Sequence, residues 1–219
     1  MKRAVICFTR VPRPGQTKTR LLPILSGEQC AALHTAFLRD LNELYMRLDC
    51  DVIISYAPDP DRSILEEIFP AATAFWPQQG EDLGERMHNA FCRAFQLGYA
   101  AVLLTGSDLP ELGQGCLSKA FTALETADVV LGPTSDGGYY LVGMNAPCAQ
   151  VFQGHQYGGA TVWESTMAAI AAANLTAAAA PGLDDVDTPE DRRRLAKAVR
   201  PESHTGRYLN QLKKAGVDL

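Results

Sequence analysis

Four cations crowd one short stretch: Arg10, Arg13, Lys18 and Arg20 follow the apolar run from Ala4 to Phe8, spaced across a Pro/Gly turn that includes Pro12, Pro14 and Gly15. Placed at the carboxyl edge of a first strand, such a loop reads as a grip for a polyphosphate. The glycines fit neither GxGxxG nor GxxxxGK[ST], so side chains rather than backbone amides must carry most of the charge. A solvated basic surface is the competing reading. The acidic motifs downstream favour the grip.

Asp108 follows the apolar run Ala101 to Thr105 by three residues, inside Gly106-Ser-Asp-Leu-Pro110. That is the crevice position of an open α/β sheet, and a carboxylate there can hold Mg²⁺ or Mn²⁺ against nucleotide phosphates. An Asx turn capping the next helix explains the same residues. Near the end of the chain, Asp184-Asp-Val-Asp187 precedes Thr188-Pro189. In an extended segment Asp185 and Asp187 face the same side, and Mg²⁺ takes only one or two protein carboxylates beside phosphate and water. Asp108 and Asp187 suffice for that, with Asp185 a further candidate. Alternatively the cluster opposes a helix dipole, a role that suits Glu190 and Asp191 better than metal binding.

Two more segments carry candidate ligand contacts. Asp136-Gly137-Gly138 lies between apolar runs; the glycines allow positive φ or close approach of a ligand, and Asp136 can then bind a sugar or acceptor hydroxyl. A plain Asp-Gly-Gly hairpin accounts for the segment equally well. Gln79, Gly80 and Asp82 stand in the loop before a helix, where amide and carboxylate groups suit a base or ribose; a capped helix is the plainer reading. His155 is read as a loop residue in preference to a general base.

The elements that must position these residues alternate short apolar runs with amphipathic stretches, the pattern of a mostly parallel sheet covered by helices. Strands are expected at Ala4 to Phe8, Val52 to Tyr56, Thr73 to Trp76, Ala101 to Thr105, Val129 to Gly132 and Tyr139 to Gly143, with an edge strand before Pro181. Capping boxes are expected at Ser26/Gln29, Asp82/Glu85 and Thr161/Glu164. Another helix starts at Thr188-Pro189. At 219 residues the chain is read as one domain, 1–219.

A net charge of −5 argues against a general nucleic-acid binder. Six scattered cysteines without a CxxC pair read as buried, reduced thiols. The apolar run after Met1-Lys-Arg ends at Thr9-Arg10, too short for a signal or a spanning helix. No membrane span and a cytoplasmic location are therefore expected.

Taken in order, five segments resemble the nucleotide-diphospho-sugar transferase superfamily with its GT-A fold, and more narrowly the bacterial glycosyltransferase A-like family DUF2064. They are 12–21, 79–87, 106–110, 136–143 and 185–191. The resemblance implies a Rossmann-like three-layer α/β/α sandwich with a mostly parallel mixed sheet. It implies that Lys18 and Arg20 face the phosphates, that Asp108 does the work of a DxD metal carboxylate, and that Asp187 completes the metal site. Lys18, Asp108 and Asp187 are then the catalytic candidates, and a nucleotide-activated donor and a small-molecule acceptor the partners. Phospholactate guanylyltransferases look similar through Lys18-Thr-Arg-Leu21 and Asp187-Thr-Pro189. Sugar transfer, nucleotidyl transfer to a phosphorylated acceptor and a non-catalytic nucleotide-binding module are all compatible with these residues, in that order of preference. Two departures stand out: Gly106 occupies the first position of the DxD, and 153–159 lacks the tryptophan expected there.

Overall fold

A computed structural model describes residues 2–188, 191, 192, 195 and 199–217. The chain runs through β1 (Arg3–Thr9), α1 (Gly27–Tyr45), β2 (Asp51–Tyr56), α2 (Ser63–Ile68), β3 (Ala74–Pro77), α3 (Leu83–Gln96) and β4 (Ala101–Thr105). It continues with α4 (Gln114–Ala123), β5 (Val129–Pro133), β6 (Tyr139–Met144), α5 (Val162–Ala172), β7 (Ala177–Ala179) and α6 (His204–Lys214). Short 3₁₀ turns cover Thr19–Leu21 and Ala149–Phe152.

The seven strands form one sheet in the order β3-β2-β1-β4-β6-β5-β7. All neighbours are parallel except β6, which runs antiparallel to both β4 and β5. The chain winds outward from β1 to β3, then restarts at β4 on the other flank of β1. The carboxyl ends of β1 and β4 therefore border a topological switch point, where the two flanking loops diverge and leave a crevice.

Burial on both faces is why these strands read as continuous apolar runs. Along β1 the side chains alternate: Val5 and Cys7 join Leu41, Tyr45, Leu65 and Leu117 from α1, α2 and α4. Ala4, Ile6 and Phe8 pack with Met87, Phe91 and Ile170 from α3 and α5. That makes three layers, helix on sheet on helix. The outer side of α1, through Leu33 and Phe37, packs against Leu209 and Leu212 of α6.

All six expected strands form within a residue or two of their anticipated ends, and β7 supplies the edge strand. Ser26 and Gln29 make the full reciprocal cap. Asp82 makes half of one: its Oδ1 accepts from Glu85 N at 2.8 Å, while Glu85 turns to Glu81 N at 2.9 Å. The box expected at Thr161/Glu164 does not form. Thr161 holds φ −108° and ψ 5° instead of an extended backbone, and the Trp163 amide that a cap would serve donates to Gly137 O at 2.8 Å. At the expected Thr188-Pro189 start, Thr188 and Asp191 bond reciprocally; Pro189 and Glu190 lie outside the described residues. The six cysteines are free thiols, Cys7 and Cys30 buried and the other four partly exposed. No helix among the described residues is long and apolar enough to cross a membrane.

Candidate active site

The loop leaving β1 folds back because two residues take left-handed backbone, Gly15 at φ 74° and Lys18 at φ 51°. For lysine this conformation is uncommon, and it is held by what the side chain reaches. Lys18 is buried, with only 1% of its side chain exposed. Its Nζ donates to Val186 O, lies 2.7 Å from Asp108 Oδ1 and 4.0 Å from Asp187 Oδ1, and sits 5.0 Å from the Phe37 ring centroid.

Asp108 and Asp187 are far apart in sequence and meet because Val186 N donates to Asp108 O at 2.9 Å, tying the late acidic segment to the loop after β4. Both carboxylates flank one ammonium, so their oxygens cannot be further apart than the sum of those two contact distances. Arg20, largely exposed, reaches Asp187 Oδ2 at 2.7 Å. Burial disfavours ionisation of Asp108, but the Lys18 charge, with His34 and Arg10 nearby, holds its carboxyl below the usual value. Asp185 has the opposite fate: burial, then Asp108 and Asp187, push it up to about 6. The pocket thus concentrates more negative charge than Lys18 alone offsets.

His34, on the sheet-facing side of α1, fastens the floor. Its Nδ1 is 2.7 Å from Thr17 Oγ1, and its Nε2 is 3.3 Å from both Thr9 Oγ1 and Ser107 Oγ. One imidazole therefore ties the ends of β1 and β4 to the cationic loop. Burial lowers its pKa to about 4, so it is neutral near pH 7.

These residues open onto a cleft of about 680 Å³ lined by Arg10, Lys18, Arg20, Asp108, Asp136, Gly138, Asp185 and Asp187 among others. The remaining sequence candidates are placed differently. Arg13 forms a two-pronged pair with Asp59 at 2.7 and 2.5 Å and does not line the cleft. Gln79, Gly80 and Asp82 also stand outside its lining: Gln79 O accepts from Asn89, Gly80 O accepts from Arg86, and Asp82 caps α3. Gln78, one position earlier, faces the cleft instead and donates to Thr9 O and Ser55 O. Gly137 shapes the turn from behind, because at φ 87° an added Cβ would fall 2.0 Å from Ala160 O. Both ring nitrogens of His155 are engaged, by Ser165 Oγ at 2.8 Å and Val151 O at 3.0 Å, which fits the loop reading.

Sequence reasoning passed over His34, Gln78, Tyr139 and Tyr157, all of which line the cleft. The one available signal was an imidazole set among Cys30, Leu33, Phe37 and Leu38 on α1. A larger hollow of about 1100 Å³ lies at the amino ends of β1, β2 and β4, by Lys2, Arg3 and Asp51. Lys2 there pairs with Asp51 at 3.7 Å, and the hollow lies away from the carboxyl ends of β1 and β4.

The hard oxygen donors of Asp108, Asp185 and Asp187 suit Mg²⁺ or Mn²⁺ in kind. They are not drawn into a ready cage. Among the described residues, three metal-type ligand atoms lie within 4.8 Å of one another only at Asp40, Glu43 and His204. There Asp40 caps α6, accepting from the His204 and Thr205 amides at 2.8 and 3.0 Å.

The chain is 31% identical over 132 residues to the 2-phospho-L-lactate guanylyltransferase of Methanothermobacter thermautotrophicus, a match covering 58% of this chain and 56% of that protein. The chain thus spans little more than half the length of that curated relative. A crystal structure from Desulfovibrio desulfuricans G20, provisionally named a nucleotide-diphospho-sugar transferase, superposes with a TM-score of 0.92 at 33% identity over the full length of both chains. At the level of fold alone, the 4-diphosphocytidyl-2C-methyl-D-erythritol synthase of Anaerococcus prevotii superposes with a TM-score of 0.60 at 10% identity, covering 95% of this chain and 96% of that one. Residues 40–159 match the family model of uncharacterized proteins conserved in bacteria, DUF2064. The chain belongs to the DUF2064 family, within the nucleotide-diphospho-sugar transferase superfamily.

Proposed function

We propose that this protein is a divalent-metal-assisted transferase that takes a nucleotide-activated donor, with transfer of a sugar from a nucleoside-diphospho-sugar as the first reading. The observation that carries it is the meeting of Lys18, Asp108 and Asp187 at the switch point between β1 and β4. Phosphoryl and glycosyl donors of this kind ask little covalent chemistry of the protein and much charge neutralisation. Lys18 and Arg20 bind the phosphates, with Arg10 at the rim. Asp108 and Asp187, helped by Asp185, would hold Mg²⁺ or Mn²⁺, which when bound offsets charge developing on the leaving phosphate. His34 keeps the loops of β1 and β4 in register, and Asp136 with Gly138 receives the acceptor or sugar.

Nucleotidyl transfer is the second reading, favoured by the guanylyltransferase relative. The two differ in what leaves. Sugar transfer releases a nucleoside diphosphate, whereas nucleotidyl transfer from a triphosphate releases pyrophosphate. Purified protein incubated with Mn²⁺ or Mg²⁺, a panel of nucleoside triphosphates and nucleoside-diphospho-sugars, and candidate acceptors separates them. Pyrophosphate release would overturn the glycosyl reading. Nucleotide binding that is metal-independent, unaltered in Asp108→Ala and without turnover would overturn both.

A further inference from the structure

The most heavily engaged charge in the cleft is the ammonium of Lys18. A buried lysine is tolerated only when its charge is paired and its donors are used. Here Val186 O and Asp108 Oδ1 take two of three donors, and Asp187 Oδ1 faces the same nitrogen at 4.0 Å. The Phe37 ring closes another side. These carboxylates are also the ones suited to a divalent cation. The two compete for the same carboxylate: a Mg²⁺ ion sits about 2 Å from its carboxylate oxygen, and the ammonium is already 2.7 Å from Asp108 Oδ1. Two cations on that carboxylate would stand only a few ångströms apart beside a buried side chain, so each weakens the other's binding.

We propose that Lys18 is a built-in counter-ion that closes the metal site of the ligand-free protein, and that the polyphosphate of a nucleotide opens it by drawing the ammonium away from Asp108 and Asp187. The closing half rests on the geometry of these three side chains; the opening half rests on the transferase reading given above. Arg20 does not block the same gap, because its side chain is 67% exposed and can turn outward with the phosphate. The arrangement makes metal and nucleotide binding cooperative, and linkage requires each ligand to raise the other's affinity by the same factor. It also keeps the free protein from holding a metal ion in an empty cleft.

The test is Mn²⁺ binding, followed by electron paramagnetic resonance of free Mn²⁺, for wild type and Lys18→Met at one fixed pH. Without nucleotide, Lys18→Met should bind Mn²⁺ about tenfold more tightly than wild type or better, within the usual range of coupling between sites. Adding Asp108→Asn to Lys18→Met should remove that gain, which separates this site from Asp40, Glu43 and His204. GDP or UDP should raise the Mn²⁺ affinity of wild type by a larger factor than that of Lys18→Met. Lys18→Gln, which keeps a donor for Val186 O, gives the same comparison where circular dichroism shows Lys18→Met misfolded. Equal Mn²⁺ affinities in the nucleotide-free arm would overturn the counter-ion alone. Absence of GDP and UDP binding in every arm would overturn the opening step and the transferase reading together.

Discussion

Lys18 Nζ and Asp108 Oδ1 stand 2.7 Å apart, one carried by the loop after β1 and the other by the loop after β4. The pair spans the point where the strand order reverses, so it exists only because the sheet brings those two ends together. It gives the cleft a cation facing a carboxylate, the two groups that a phosphate and a metal ion require.

Asp108→Asn should keep the fold and lose turnover by about 10²-fold or more, since it removes charge where the transition state needs it. Destabilisation should be about 2–4 kcal/mol, because the change leaves the buried Lys18 ammonium without its nearest counter-charge, with Asp187 at 4.0 Å offsetting part of the loss. Product formation and urea unfolding, measured on the same preparation, check the two halves. A variant with unchanged turnover would remove Asp108 from the chemistry.

Arginines of the first loop should separate by role. Arg20→Ala should weaken nucleotide binding about ten- to a hundredfold, the usual worth of a hydrogen bond to a charged group. Arg13→Ala should leave that affinity near wild type, because Arg13 is committed to Asp59, whose carboxyl it holds down at about 2. Calorimetric titration with a nucleoside diphosphate reads both. Equal losses would mean that Arg13 leaves Asp59 when ligand binds.

His34 should make the fold sensitive to acid. Its folded pKa is about 4 against an ordinary value of 6.5, through burial foremost and the Lys18 and Arg10 charges, with Asp108 opposing them. Between those values the unfolded chain takes up a proton that the folded chain refuses. Stability is therefore complete above about pH 6.5 and falls as pH drops toward 4, by up to about 3 kcal/mol from this group. Urea unfolding at pH 7 and pH 5 should show a smaller difference in His34→Asn than in wild type. The same slope in both would assign the acid sensitivity elsewhere.

Gly137→Ala should cost about 2–4 kcal/mol, because the new Cβ meets Ala160 O and φ 87° disfavours any side chain. Gly15→Ala should cost less. It also has positive φ, but nothing stands within 4 Å of its Cβ position. Thermal unfolding of both variants gives the ranking.

Sequence and structure agree most closely where local chemistry repeats along the chain. Six apolar runs are legible as strands because strands buried on both faces admit little else, and Ser26 with Gln29 is legible as a cap because both partners lie within one turn. Asp108, Asp187 and Lys18 are legible one by one, from their positions after strands or before a helix. Their meeting is expected as a shared metal site beside the basic loop, while the contact that makes it, the Val186 to Asp108 backbone bond, has no local signal. In the loop after β3 the residue lining the cleft is Gln78, while Gln79 is exposed and its backbone carbonyl accepts from Asn89. Arg13 looks like its basic neighbours until Asp59, from a different loop, takes it. His34 escaped attention because its three hydroxyl partners, Thr9, Thr17 and Ser107, come from three separate segments.

The most direct test is a crystal structure of the protein with Mn²⁺ and a nucleoside diphosphate, with manganese located by its anomalous scattering. The account predicts one peak touching oxygens of both Asp108 and Asp187 and bridged to the diphosphate, with Lys18 turned from the carboxylates to the phosphate. A peak at Asp40, Glu43 and His204 alone, or a nucleotide bound away from the loops after β1 and β4, would contradict it.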